Sequence, residues 1–258
     1  MLLDMISVII PTCNRPAAFL YKAIESAMAQ SLPPHEVIVV DNCTFSIDRE
    51  SLPEKVAVYR LPQRIGPSRA RNFGAARASG THFAFLDDDD WWDGNFLRNM
   101  WAELHAEESR CACGRLDAYR KNRVEHFKCA TPDTLTIPVL LRRNPGTTGT
   151  NLLIEKKLFW EVGGFDERLR TSEDKALVLE ILRADENIAI APDAVAIMRQ
   201  HDGVRAHQAR HYKLLFSWKY RNLLGYKGLS RELFRLLNPR LLKKLSRKTG
   251  GIRRAECA

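Results

Sequence analysis

The sequence predicts an α/β fold in which a largely parallel sheet lies between layers of helices. Two observations predict it. Short apolar runs alternate along the chain with segments of helical pattern, and these runs are rich in β-branched residues instead of alternating between apolar and polar. Strands of that kind are buried on both faces, which is typical of parallel sheets covered by helices. The chain has 258 residues, which is enough for one large domain or two small ones.

The elements of the first 90 residues follow a regular alternation. The run Ile6–Ile10 predicts the first strand, which Pro11 and Pro16 bring to an end. Apolar residues spaced three and four apart predict a helix over residues 17–30. The remaining elements of this half are strands at 36–40, 56–59 and 82–86, with a helix over 68–78.

The second half is less regular. Helices are predicted over residues 95–108, 155–162 and 172–183, strands within 111–128 and at 151–154, and a flexible loop at 145–149. From residue 205 onward the sequence predicts basic helices that are broken near Gly225, Gly228 and Pro239, because glycine and proline interrupt helices.

Polar residues follow the strands of the first half at the point where each strand ends. Thr12 and Asn14 follow the first strand, Asp41 follows the second, and four aspartates at 87–90 follow the strand at 82–86. Ligands of open α/β sheets bind at the carboxyl ends of the strands. We therefore expect these side chains to lie together on one edge of the sheet and to line a binding site.

The run Asp87–Asp90 is the strongest single chemical signal in the sequence. Adjacent carboxylates repel one another unless a cation is present. A hard divalent ion that also bridges a diphosphate would compensate their charge. The alternative is a solvated acidic turn, because aspartate favours turns and helix N-termini. Trp91 and Trp92 exclude an EF-hand, and no glycine-rich phosphate loop follows the first strand, which disfavours Rossmann dehydrogenases and P-loop enzymes.

Seven short motifs occur in one order between residues 5 and 202. They are VIIPTCNR at 8–15, VVD at 39–41, ARN at 70–72, FLDDDD at 85–90, GGFD at 163–166, ED at 173–174 and RQH at 199–201. Together they resemble the family 2 glycosyltransferases, which are nucleotide-sugar enzymes of the GT-A fold with a Rossmann-like mixed sheet flanked by helices. The resemblance implies an inverting, hexosyltransferase-type glycosyltransferase with Mg2+ or Mn2+ as its cofactor.

The resemblance also implies a nucleotide pocket. Pro11, Thr12 and Asn14 would line it, and Asp41 would accept a hydrogen bond from a pyrimidine ring N–H. Arg71 would also face the nucleotide.

A metal site and a general base are implied in the same way. Asp87–Asp89 match the family's DxD-type element: Asp89 would bind the metal ion directly, and Asp87 or Asp88 would contact the ribose or a metal-bound water. Asp87 is thus a candidate for both roles. His201 would lie near the metal or the diphosphate. Asp174 would act as the general base, oriented beside Glu173.

Charge is distributed unevenly along the chain. Residues 203–258 carry 15 Lys or Arg and 2 Asp or Glu, whereas residues 1–202 carry 25 and 29. Leucines and aromatic residues alternate with cations in this tail, and such a stretch suits an anionic membrane surface. Nucleic-acid binding and simple packing on the body are the alternative roles.

The sequence therefore predicts three parts. Residues 1–110 form the nucleotide-sugar-binding half, residues 111–202 the acceptor-binding and catalytic half, and residues 203–258 a basic amphipathic helical tail. No apolar run reaches the roughly 18 residues that indicate a membrane-spanning helix, and residues 1–10 lack the basic start of a signal peptide. The predicted location is cytoplasmic, peripheral on the inner face of the cell membrane.

The leading hypothesis is transfer of a sugar from a nucleotide-sugar, by default a UDP-sugar, to a saccharide or lipid-linked acceptor in surface glycan biosynthesis. One alternative is a nucleic-acid-binding protein that acts through its basic tail, although the acidic run would repel phosphates. The other is a nucleotidyltransferase, which normally has a glycine-rich basic loop after the first strand. Residues 12–16 are not such a loop.

Overall fold

The computed structural model describes residues 5–42, 47, 52–61, 65–200 and 209–237. These residues form an α/β fold, so the predicted fold class is confirmed. The strands are β1 (Ile6–Thr12), β2 (Glu36–Asp41), β3 (Val56–Arg60), β4 (His82–Phe85), β5 (Trp91–Trp92), β6 (Cys111–Arg120), β7 (Arg123–Lys128), β8 (Leu152–Glu155) and β9 (Ala189–Arg199). The helices are α1 (Ala17–Met28), α2 (Pro67–Arg77), α3 (Phe96–Ala106), α4 (Ile137–Arg142), α5 (Lys156–Glu161), α6 (Glu173–Arg183), α7 (Ala209–Lys219) and α8 (Arg221–Leu237).

The described strands form one mixed sheet in the order β3-β2-β1-β4-β8-β6-β9-β5, and β7 pairs with β6. The first four strands of that order are mutually parallel, as predicted. Beyond them β8 runs antiparallel to both β4 and β6, β9 runs parallel to β6, and β5 and β7 pair antiparallel, so the sheet is mixed and only its first four strands are parallel throughout. Because β1, β2 and β4 are parallel neighbours, their carboxyl ends lie on the same edge.

The core of the first half follows from the apolar strands. Val8, Ile10 and Val39 are fully buried and pack in one cluster with α1 residues Leu20 and Ile24. Burying a side chain of this size contributes about 1.5–3 kcal/mol to folding. The core therefore fixes β1 and β2, whose last residues face the binding edge.

Helix α2 lies unusually close to β1. A Cβ atom placed on Gly74 would come within 2.5 Å of Ile9 Cγ2, so only glycine permits this approach. Arg71 lies about one turn earlier on α2. The close packing of the helix therefore carries Arg71 toward the carboxyl ends of the strands.

Several elements of the second half were not predicted. They are the two-residue strand β5, the six-residue helix α4 and the strand β9. The segment predicted as a flexible loop, residues 145–149, is also different: Thr147 is fully buried and donates from its backbone N–H to Asn144 Oδ1 at 2.8 Å. A 3-10 turn, Gly149–Asn151, follows it and leads into β8.

The protein consists of two compact units, Met1–Gly203 and Val204–Ala258. The described part of the second unit consists of α7 and α8, and Gly225 (φ 64°) interrupts α8 where the sequence predicted a break. Phe216 and Tyr220 are buried, whereas Trp218, Tyr226 and Phe234 are exposed. None of the helices in the described residues has the length and apolar character needed to cross a bilayer.

Candidate active site

The polar residues that follow the strands meet at one edge, as predicted. Thr12 and Asp41 are direct neighbours in the parallel register of β1 and β2. Thr12 Oγ1 donates a hydrogen bond of 2.7 Å to Asp88 Oδ2, which joins the end of β1 to the acidic run after β4. Pro11, Thr12 and Asp41 are all buried there. The edge is therefore a built, hydrogen-bonded surface and not a set of solvated turns.

Arg15 neutralises two carboxylates of the acidic run. Its Nη2 lies 2.8 Å from Asp89 Oδ2 and its Nε lies 3.4 Å from Asp88 Oδ1. Asn14, at φ 52°, adopts the left-handed conformation that asparagine tolerates and turns the chain between β1 and Arg15. Burial, reinforced by Asp89 and Asp87, raises the pKa of Asp88 to about 6, although the Thr12 hydrogen bond and Arg15 act in the opposite direction.

A second arginine neutralises the other carboxylates of the edge. Arg71 is 3% exposed, and its Nη2 lies 2.5 Å from Asp87 Oδ1. Its Nη1 lies 3.3 Å from Glu173 Oε1 and 3.7 Å from Asp174 Oδ1. Burial alone would lower the pKa of Arg71, but the three carboxylates outweigh it and raise that pKa overall. In this structure the guanidinium is engaged with carboxylates, and its contact with a nucleotide stays a prediction.

Asp174 is the more accessible carboxylate of the pair at the start of α6. Its side chain is 20% exposed, compared with 10% for Glu173. Oδ1 of Asp174 is buried and accepts no hydrogen bond from the described residues. Burial raises the pKa of Asp174 well above its ordinary value, and the nearby Glu173 adds to that effect. Arg71 and the backbone of Gly149 act on that pKa in the opposite direction. A carboxylate whose pKa is raised overall is chemically suited to accept a proton.

Gly149 packs against this second cluster. A Cβ atom at that position would lie 3.2 Å from Arg71 Nε and 3.3 Å from Asp174 Oδ1. Only hydrogen therefore fits there without displacing one of the two groups. The glycine lies in the segment that the sequence predicted to be flexible.

Asp90 differs from the other three aspartates of the run. Its Oδ2 accepts from Thr150 Oγ1 and its Oδ1 accepts from the backbone N–H of Arg199, both at 2.9 Å. Burial, reinforced by Asp87 and Asp89, raises its pKa well above the ordinary value. Asp90 thus fastens the acidic run to the end of β9.

Sequence reasoning missed three participants: Arg15, Thr150 and Arg199. Arg15 stood inside a recognised motif, and its charge beside four carboxylates is a signal that could have identified it. Arg199 also stood inside a motif, the RQH at 199–201. However, its contact with Asp90 spans 109 residues and that of Thr150 with Asp90 spans 60, which no local pattern predicts. His201, the remaining predicted ligand, lies outside the described residues.

Whether this edge can bind a divalent metal ion depends on which side-chain oxygen and nitrogen atoms are available as ligands. Among the described residues, no group of three or more His, Cys, Asp or Glu side chains is arranged to hold a metal ion. Mg2+ normally takes only one or two protein carboxylates and completes its shell with water and substrate phosphates. Asp88 and Asp89 already share one cation, the Arg15 guanidinium. The residues present therefore fit a divalent ion that arrives together with a diphosphate.

The chain matches known proteins over most of its length. The model of the family described as "Glycosyl transferase family 2" matches residues 7–163. The succinoglycan biosynthesis protein ExoO of Rhizobium meliloti is 31% identical over 198 residues, which cover 70% of this chain and 57% of that protein. A protein of Haemophilus influenzae named "Uncharacterized glycosyltransferase" is 26% identical over 191 residues, or 69% of this chain and 62% of that protein. The chain thus spans less than two thirds of these curated relatives.

Solved structures match the architecture. S. aureus TarS 1–349 in complex with UDP-GlcNAc superposes with a TM-score of 0.65 at 22% identity, over 91% of this chain and 72% of that one. GalNAc-T7 with UDP, GalNAc and Mn2+ superposes with a TM-score of 0.64 at 18% identity, over 84% of this chain and 48% of that one. At such identities the likeness concerns the fold alone, and it confirms the predicted GT-A architecture.

Proposed function

The chain belongs to glycosyl transferase family 2, and from that membership we propose that it is an inverting, metal-dependent glycosyltransferase that uses a UDP-sugar. One observation carries the proposal: two separate carboxylate clusters share one edge, Asp88 with Asp89 around Arg15, and Asp174 with Glu173 beside Arg71. A single displacement needs charge compensation for the diphosphate and one base for the acceptor. Family membership favours this reaction over nucleic-acid binding or nucleotidyl transfer.

The nucleotide would bind where β1 and β2 end. Asp41 is 2% exposed beside Thr12, so its carboxylate is in a position to accept a hydrogen bond from a pyrimidine ring. Pro11 and Asn14 would form the adjoining wall, and Asp87 and Asp88 would contact the ribose. UDP is chosen because two of the structurally similar proteins, TarS and GalNAc-T7, are described with UDP or a UDP-sugar.

Asp89 and Asp87 would hold a Mg2+ or Mn2+ ion, with His201 as a further candidate ligand. When bound, such an ion neutralises the charge that develops on the leaving diphosphate. Arg15 now occupies that electrostatic position and would be free to move onto a phosphate oxygen. The presence of Mn2+ in the GalNAc-T7 structure supports the choice of ion.

Asp174 would take the proton of the acceptor hydroxyl as that oxygen attacks the anomeric carbon. One base opposite the leaving group is sufficient for a single displacement, which inverts the configuration. Glu173 and Arg71 would hold Asp174 in place. We keep the assignment of residues 1–110 to donor binding and of residues 111–202 to acceptor binding and catalysis as part of the proposal, with a saccharide or lipid-linked acceptor in glycan biosynthesis.

The decisive experiment incubates the protein with Mn2+ and a panel of nucleotide sugars and follows nucleoside diphosphate release. We expect release from a UDP-sugar and its loss in EDTA. Calorimetry then compares UDP binding with and without EDTA, because the carboxylates repel the diphosphate when no ion is present. Asp89→Ala should reproduce the EDTA result, and the exposed Asp133→Ala should not. Equal UDP affinity under all these conditions would contradict the metal assignment.

The tail would anchor the enzyme peripherally on the inner face of the cell membrane. Trp218 is 61%, Tyr226 88% and Phe234 54% exposed, on helices of a unit that is strongly basic. Exposed aromatic residues among cations favour an anionic lipid surface. We expect flotation with vesicles containing phosphatidylserine, weakened by added salt and by serine substitution of these three residues. Trp160→Ser, at an exposed position in the first unit, is the control, and unchanged flotation of the triple variant would refute the anchor.

A further inference from the structure

Two cations lie against one group of aromatic rings beside the acidic run. Lys22 Nζ lies 3.2 Å from the centre of the Trp91 ring, and Arg199 Cζ lies 4.2 Å from that of Phe19. The Arg199 guanidinium is also 5.1 Å from the Tyr119 ring and 5.4 Å from that of Trp91. Trp91 and Tyr119 meet edge to face, with centroids 5.2 Å apart. We call these five residues the cationic-aromatic cluster.

The cluster adjoins the candidate active site. Trp91 follows Asp90 directly in the chain, and Arg199 Nε lies 3.4 Å from the carbonyl oxygen of Asp89. Phe19 and Lys22 stand three residues apart on α1 and therefore on one face of that helix. Four separate elements, α1, β5, β6 and β9, thus place two positive charges next to the residue assigned to the metal.

Neither of these positive charges forms an ion pair in the part of the chain that the structure describes. Within the described residues, neither Lys22 nor Arg199 has a carboxylate oxygen within the 4.0 Å of an ion pair, although every other arginine cluster of this edge does. Burial lowers the pKa of Lys22 and repulsion from Arg199 lowers it further, whereas the carboxylate of Glu25 acts in the opposite direction. An anion held by both side chains would remove that repulsion.

We propose that the cationic-aromatic cluster binds an anionic group of the sugar acceptor, a phosphate or a carboxylate. Lys22 and Arg199 would donate charged hydrogen bonds to it. The aromatic rings of the cluster would hold both cations in position through cation–π contacts. Naming the ligand as an acceptor rests on the proposed glycosyl transfer, whereas the anion site itself does not. The same chemistry could come from a phosphorylated sugar or from a sugar acid, so both are tested.

The experiment is calorimetry on the full chain saturated with UDP and Mn2+, so that no added anion can enter the donor site. The probes are glucose 1-phosphate, glucuronate and, as the neutral reference, methyl glucoside. We expect at least one anionic sugar to bind and the neutral one to bind at least about tenfold more weakly, since a charged hydrogen bond discriminates by that order. The anionic sugar that binds identifies the source of the charge.

Lys22→Met and Arg199→Met should each weaken that binding roughly tenfold. Lys157→Met, an exposed lysine on α5, is the matched control and should leave it unchanged. Arg199 contacts the backbone of Asp89, so Arg199→Met could also weaken UDP binding. If it does, the result for Lys22→Met alone tests the anion site. Unchanged affinity in Lys22→Met, or equal affinity for charged and neutral sugars, would overturn the inference. If UDP does not bind at all, the proposed function fails, and the same titration without UDP still tests the anion site.

Discussion

Arg15 and Arg71 both neutralise carboxylates of the same sheet edge, but in different surroundings. The Arg15 side chain is 31% exposed and contacts two aspartates of the acidic run, whereas Arg71 is 3% exposed and contacts three carboxylates from two distant segments. A cation that water reaches is held less firmly by its carboxylate partners than a buried one, which cannot be removed without a large cost. If the proposed function holds, the Arg15 cluster would exchange its cation for a metal ion, whereas the Arg71 cluster would hold its geometry.

Removal of Arg71 should have the largest effect. Arg71→Met leaves Asp87, Glu173 and Asp174 without their shared cation, and breaking a buried ion pair in this way typically costs about 3–5 kcal/mol of folding free energy. Both the midpoint of urea unfolding and the transfer rate should fall. Arg69→Met, which loses only an exposed pair with Glu167, should cost less than about 1 kcal/mol. Similar stabilities of the two variants would contradict the difference drawn between buried and exposed pairs.

Substitution of the proposed base should separate chemistry from stability. Asp174→Asn keeps the shape of the side chain but removes its basic oxygen, so turnover should fall by about 10²–10⁴, equivalent to roughly 3–5 kcal/mol of barrier. UDP affinity should change little, because donor binding does not use that proton. Turnover is measured at saturating donor and metal, with Asp166→Asn as the control.

Two outcomes of that measurement would redirect the assignment. Near-normal turnover in Asp174→Asn would move the base to Glu173, the next carboxylate on α6. Equal losses in Asp174→Asn and Asp166→Asn would point to a general disturbance of this part of the structure, since Asp166 pairs with Arg168 and has no proposed part in the reaction.

A smaller change tests how tightly the Arg71 cluster is packed. Gly149→Ala introduces a methyl group 3.2–3.3 Å from Arg71 Nε and Asp174 Oδ1, and overpacking of this kind costs about 1–3 kcal/mol. Turnover should fall with stability, because Asp174 must move. Gly94→Ala, where nothing lies within 4 Å of the added methyl group, should stay within about 0.5 kcal/mol of the unmodified protein. The measurement is thermal unfolding of both variants, and equal midpoints would show that the cluster is loosely packed.

Removal of Arg15 should lower stability least among these variants. In contrast to that loss, it should strengthen the binding of a metal ion. Arg15→Met should cost less than Arg71→Met, because the Arg15 side chain is 31% exposed, although its partners Asp88 and Asp89 are themselves buried. Without this competing cation, Mn2+ should bind more tightly in the absence of nucleotide, which calorimetry can measure. Arg60→Met removes a comparable exposed cation beside Asp41 and is the control. Mn2+ binding in Arg15→Met that is no tighter than in the control would refute the exchange of cations.

The sequence predicted the strands of the first half of the first unit better than the elements of its second half. β1, β2 and β4 are continuous apolar runs followed by polar residues, so both the strands and their shared edge could be predicted from local pattern. β9 contains Pro192 and Asp193, and its pairing with β6 shifts register there, which hides the period of a strand. β5 has only two residues and α4 only six, too few to show any period.

The site itself was predictable as a set of residues but not as two clusters. The acidic run and Glu173-Asp174 stand out in the sequence because their charges are local features. The division of their carboxylates between Arg15 and Arg71 depends on contacts such as that between Arg71 and Glu173, 102 residues apart. Such contacts are set by the close packing of α2 on β1, which only the folded structure shows.

The acidic run passes without a spacer into β5, and that continuity limits how the chain can change in length. Alternate side chains of a strand point to opposite faces, so Trp91 faces Lys22 while Trp92 is buried. The Trp92 ring stacks on Phe96, and its Nε1–H donates a hydrogen bond to the carbonyl oxygen of Thr150. One residue inserted between Asp90 and Trp91 would turn each indole to the opposite face of the strand. A change in the length of this stretch would therefore disturb the packing of β5 as well as the carboxylates of the acidic run.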